Sequence, residues 1–146
     1  MDRSVTEEAE RLTRKRARVM PVLAVLLISQ QAVYFNELGS SGAQKFKIAA
    51  WLVLALVLLA GLATGGAWFS RRAVRELIND ETTRDHRRRA CAAGFWAVMG
   101  GAIILYMFDM FEPVRGRDAI HIIMTAGIGA ALLTFGRLER RALRDA

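Results

Sequence analysis

Two groups of side chains in this 146-residue chain carry residue types from which a site could be built. The first is the run Glu76-Leu77-Ile78-Asn79-Asp80-Glu81-Thr82-Thr83-Arg84-Asp85-His86-Arg87-Arg88-Arg89. Its carboxylates, Asp80, Glu81 and Asp85, alternate with guanidinium groups, and such a string offers charge-assisted pairs to another surface. His86 in this setting reads as a solvated neighbour and not as a base. The second group is Glu37, Asp109, Glu112, Asp118 and His121, all near one end of apolar segments. A His beside carboxylates titrates near neutrality and can ligate a metal, but these spacings match no metal motif, and hydration accounts for the residues. Ser29, Gln30 and Gln31 lie inside an apolar segment, where amides hydrogen-bond across helices or line a path for a solute. Cys91 is the single cysteine, which excludes an internal disulfide, a Cys-x-x-Cys pair and a zinc cluster. No H-E-x-x-H, G-x-S-x-G or P-loop occurs. An enzyme, a metal and a cofactor are therefore not expected.

The elements that must position these residues are four apolar segments, at about 19–35, 48–69, 90–108 and 119–135. Each approaches the ~20 residues with which a helix crosses a ~30 Å hydrocarbon core. With 53% hydrophobic residues and four such segments, a soluble bundle would have no polar faces left to wet, whereas a helix that is apolar all round suits lipid. The expected fold is all-α: an integral membrane four-helix bundle forming a single four-span domain over residues 1–146.

Orientation follows from the basic residues, because translocating basic flanks is disfavoured. Six Lys or Arg precede the first segment, seven lie between the second and third, and four follow the last, leaving only Lys45, Lys47, Arg115 and Arg117 in the other two connections. Both termini and the central loop should be cytoplasmic, in a bacterial inner (plasma) membrane. The net charge of +7 then reflects topology signals and contact with anionic lipid headgroups, and direct nucleic-acid binding is not expected. No small-residue cleavage site follows the first apolar run, so a cleaved signal peptide is not expected either.

Helical extensions should reach past the membrane at 5–18, 70–89 and 136–145. Ser4 with Glu7 fits a capping box that starts a helix near Val5, with Val5, Ala9, Leu12 and Val19 on one face. Val74, Leu77 and Ile78 continue the second segment, Asn79 and Asp80 form a turn, and Thr82-x-x-Asp85 caps the next helix. Leu138 and Ala142 repeat the pattern below Phe135. Small residues mark expected helix contacts: Gly61-x-x-x-Gly65, Gly100 with Gly101, and Ala126 with Ala130 or Gly127 with Ala131. A homo-oligomer through one of these faces is the secondary expectation.

Familiar four-span classes fail on their chemistry. A small multidrug antiporter needs a carboxylate within the first span, a di-haem cytochrome needs paired His ligands, and a thiol oxidase needs cysteine pairs. The run Leu77-Ile78-Asn79-Asp80-Glu81, followed by Arg84 and Arg87 and by the entry Gly94-Phe95-Trp96 into the third segment, resembles small four-span bacterial inner-membrane proteins with an N-D-E cytoplasmic loop. That resemblance covers about twenty-five residues. It implies a membrane component that holds or controls a helix-turn-helix transcription regulator. The leading expectation is thus a non-enzymatic anchor that binds a soluble cytoplasmic protein through Leu77, Ile78, Asn79, Asp80, Glu81, Arg84, Asp85 and Arg87. The alternatives are a small oligomeric channel or transporter lined by Gln30, Gln31 and Asp109, and a structural subunit of a larger membrane complex.

Overall fold

The computed structural model describes residues 3–36, 41–64 and 81–145, all helical but for the short connection after Asp109. The helices are α1 (Arg3–Asn36), α2 (Ser41–Thr64), α3 (Glu81–Asp109) and α4 (Gly116–Asp145). The all-α expectation holds. Among the described residues, three helices are long and apolar enough to cross a membrane: α2, α3 and α4. The first apolar segment, 19–35, continues past Gln31 into residues whose side chains lie outside the described ones, so this measure does not extend across it.

Polar extensions are continuous with the apolar segments. Residues 81–89 are the first turns of α3, and residues 136–145 are the last turns of α4. α1 starts at Arg3, two residues before the start expected near Val5, within the usual scatter of helix ends. Most of the central loop, including Leu77, Ile78, Asn79 and Asp80, lies outside the described residues, as do Glu37 and Gly65.

α4 is the helix on which the others pack. Half of its most apolar stretch is buried, against 6% for α3 and 17% for α2. The core joins Met20, Ala24 and Leu27 of α1 to Ala55, Leu58 and Leu62 of α2, Ala90 of α3, and Ile128, Ala131, Leu132 and Phe135 of α4. These recur every three or four residues, so each helix contributes one stripe. On α1 the stripe passes through Arg16, Ala17 and Met20 and leaves Val19 exposed, unlike the face expected from Val5, Ala9, Leu12 and Val19. Leu138 and Ala142 are half-buried, and the buried position below Phe135 belongs to Glu139.

Glycine decides how closely the helices approach. A Cβ on Gly127 would stand 2.4 Å from a Val98 methyl, and one on Gly94 would stand 2.9 Å from the Gly127 carbonyl oxygen and 3.1 Å from the Ala131 Cβ. The Gly127 and Ala131 pair is therefore the α3 seam, as the spacing predicts. Gly61, Gly100 and Gly101 meet nothing within 4 Å, so the contacts expected of them are absent among the described residues.

The tightest fit is between α1 and α4. A Cβ on Gly136 would lie 2.5 Å from Pro21 Cγ and 2.7 Å from Cδ. Pro21 cannot donate to the carbonyl four residues earlier, and that carbonyl, on buried Ala17, accepts instead from Arg140 Nε at 3.0 Å. One turn of α4 thus receives the proline ring and satisfies the acceptor that the ring deprives.

Gly136→Ala should lower stability in detergent by about 1–3 kcal/mol, the cost of overpacking a site whose neighbour is a rigid ring. Gly61→Ala and Gly100→Ala should be neutral or gain up to about 1 kcal/mol from helix propensity. Thermal unfolding of the three variants checks both. Arg140→Met should cost roughly 1–3 kcal/mol by stranding the Ala17 carbonyl, and far less in a Pro21→Ala background where the backbone N–H returns. A double-mutant cycle measures that coupling.

Candidate functional site: a buried charge cluster and its exposed edge

The α1 and α4 chains run antiparallel, bringing position 16 opposite position 139. Arg16 and Glu139 have side-chain exposures of only 6% and 3%, and Arg16 Nη2 donates to Glu139 Oε2 at 2.6 Å. Burying a charge in this way is unfavourable unless it is paired and hydrogen-bonded. Both conditions are met here. The same nitrogen donates to Thr83 Oγ1 at 3.3 Å, and the guanidinium carbon lies 5.2 Å from the Phe135 ring centroid, within cation–π range. The other carboxylate oxygen, Glu139 Oε1, accepts from His86 Nδ1 at 3.1 Å.

Residues from α1, α3 and α4 therefore share one carboxylate. His86, expected to be solvated, has 13% side-chain exposure and belongs to this cluster. The reason is register: His86 lies one turn from Thr83 and Ala90, both buried, so it falls on the stripe of α3 that faces α4. Both carboxylate oxygens of Glu139 are thus engaged by protein groups.

The expected partner-binding residues that are described stand around this cluster. Glu81, Arg84 and Asp85 are exposed in the first turns of α3. Asp85 pairs with Arg89 at 2.8 Å across one helical turn, with exposures of 50% and 66%, a geometry worth at most about 0.5 kcal/mol. Arg87 is turned toward α2 and donates from Nη1 to the Ala63 carbonyl at 2.7 Å. It thereby caps one of the last carbonyls of that helix. Three of these side chains are presented at the surface, and the fourth fastens α2 to the start of α3.

At the opposite end the expected grouping comes together only in part: Asp118 lies one turn from His121 on α4, within electrostatic reach of it. Asp109 Oδ1 accepts from the Val114 amide at 2.8 Å and closes the connection between α3 and α4. Glu112 is exposed beside it. His121 is buried on α4, its ring 4.0 Å from that of Trp51, and its backbone carbonyl accepts from Gln31 Nε2 at 3.3 Å. Among the described residues no three His, Cys, Asp or Glu side chains are placed to hold a metal ion. Gln30 is exposed, and no contact joins it to Asp109 among the described hydrogen bonds.

The sequence reading missed Arg16, Thr83 and Glu139. A signal existed for Glu139, since it is the single acid between Phe135 and Arg144 and continues the stripe Ile128, Leu132, Phe135. A carboxylate on a core stripe amid arginines points inward to a cation. Which of the six basic residues before the first apolar segment would meet it depended on packing.

No family model, curated protein or solved structure matches this chain.

Arg16→Met should destabilise by about 3–5 kcal/mol, because it leaves the Glu139 charge buried without its cation. Arg16→Met with Glu139→Leu should recover most of that loss, since an apolar pair of similar size has no desolvation cost. Asp85→Ala should change stability by no more than about 0.5 kcal/mol. Melting temperatures in a single detergent separate these outcomes.

Proposed function

We propose that this chain is a non-enzymatic, four-span anchor of the bacterial inner membrane, with both termini at the cytoplasmic face, that binds a soluble cytoplasmic protein. The observation that carries this reading is the Arg16–Glu139–His86–Thr83 cluster, which ties the polar extensions of three helices into one layer of defined geometry. Topology alone requires only basic residues that snorkel to the headgroups. A carboxylate shared between a buried Arg and a His goes beyond that requirement and holds the extensions in register. The edge of this layer carries Glu81, Arg84 and Asp85, and mixed charges of this kind favour specificity and fast association with a complementary protein surface.

Packing also supports α1 as the fourth span. Its contacts with α4 extend from Arg16 against Glu139, through Pro21 against Gly136 and Ile28 against Gly129, to Gln31 against His121. A helix that lies alongside the length of a membrane-crossing helix crosses at the same depth. Val22, Val25 and Leu26 face outward with exposures of 55–57%, as lipid-facing side chains do. The resemblance of the loop beginning at Leu77 points further to a helix-turn-helix transcription regulator as the partner, with Leu77 and Ile78 as the apolar contact among charges.

Reporter fusions should place both termini and residues 70–89 in the cytoplasm; an external signal at either terminus would overturn the topology. Affinity purification from the native host should recover a soluble protein that is lost when Asp80→Asn, Glu81→Gln and Asp85→Asn are combined. Membrane insertion should be unaffected. Undiminished recovery with the triple variant would remove the binding site from this loop.

A further inference from the structure

α2 makes far smaller contact with α4 than α1 or α3 does, and a cavity of about 480 Å³ opens where it stands off from α1 and α4. That volume falls among ligand pockets, commonly about 300–1,000 Å³. Its walls divide by chemistry. Phe46, Ala50 and Leu54 recur every four residues and give an apolar strip along α2. Lys47, exposed, lies at the end from which α2 enters, and Gln30 faces it from α1.

Trp51 stands on the same wall, one turn beyond Lys47. Its ring leans on His121 at 4.0 Å, and its indole Nε1 is buried without a hydrogen-bond partner among the described residues. An unsatisfied donor surrounded by hydrocarbon is costly, so an acceptor brought by a ligand would be favoured there. Lys47 and Trp51 are one turn apart, about 6 Å along the axis at ~1.5 Å per residue. The acceptors of a phospholipid are stacked in the same order: a phosphate at the surface, ester carbonyls just beneath it, and then the acyl chains.

We infer that this cavity binds an anionic phospholipid, with its phosphate at Lys47 and Gln30, an ester carbonyl on the Trp51 indole N–H, and an acyl chain along Ala50 and Leu54. The inference rests on the membrane placement of α2 proposed above. A fatty acid would offer an anionic head but no second acceptor one turn deeper. The ligand completes a wall that α2 alone leaves open, so the bilayer component acts as packing material between α1 and α2.

The test uses tryptophan quenching in the full chain. The protein has three tryptophans, and Trp68→Phe with Trp96→Phe leaves Trp51 as the sole reporter. Reconstituted into phosphatidylcholine vesicles, Trp51 should be quenched by acyl-brominated phosphatidylglycerol with an apparent affinity about fivefold above that of brominated phosphatidylcholine, the preference one basic residue supplies. Lys47→Gln should bring the ratio down to about 1, the value expected without the ammonium contribution. Ala50→Phe, which fills the cavity and keeps Lys47, should do the same while the quenching shared by both lipids persists. Equal quenching by the two lipids in the parent, or a preference that survives Ala50→Phe, would overturn the site while leaving α2 in the bilayer. No quenching by either lipid would overturn the membrane placement together with the site.

Discussion

Close approach of α1 and α3 to α4 is the constraint from which the other features follow. Between helices in lipid the hydrophobic effect contributes little, and attraction depends on dispersion contacts and hydrogen bonds at short range. α4 meets that need with small residues on two faces, Gly127 and Ala131 toward α3 and Gly129 and Gly136 toward α1. At Gly136 the approach is close enough to seat the Pro21 ring. Because the proline leaves the Ala17 carbonyl without its backbone donor, the same approach brings Arg140 within reach of it. Shape and hydrogen bonding at this point support each other.

The seating of α1 on α4 also sets the polar layer. Once Pro21 lies on Gly136, the preceding turn of α1 places Arg16 over Phe135 and against Glu139. The α3 seam at Gly94 and Gly127 similarly fixes His86 and Thr83 beside the same carboxylate. Buried ion pairs contribute little net stability compared with apolar packing, but a misregistered helix would leave a charge buried and unpaired. The cluster therefore adds a penalty against any other register of these helices. The exposed charges in the first turns of α3 then keep fixed separations from the cluster.

α2 differs from the other three. It contributes Ala55, Leu58 and Leu62 to the core, yet most of its large apolar side chains face outward. Arg87 holds its far end by the Ala63 carbonyl, and Trp51 touches α4 through His121. On the other side of these core contacts, along Phe46, Ala50 and Leu54, the helix stands off from α1 and α4.

Much of the architecture was legible in the residues because it depends on local properties. Long apolar runs dictate helices, and the Gly127 and Ala131 spacing marks a contact face. The same logic misplaced Gly61, Gly100 and Gly101 in seams, since a small residue permits close approach without requiring it. His86 was read as solvated because its neighbours in the chain are arginines, whereas its neighbours in space are Glu139 and the core. Amino-acid order by itself determined that this chain forms apolar helices with one strongly basic side. Tertiary structure decided which of many arginines became buried, which carboxylate received it, and which glycines were used. Those outcomes arise from pairwise register between helices distant in sequence, and no single helix encodes the register of its partner.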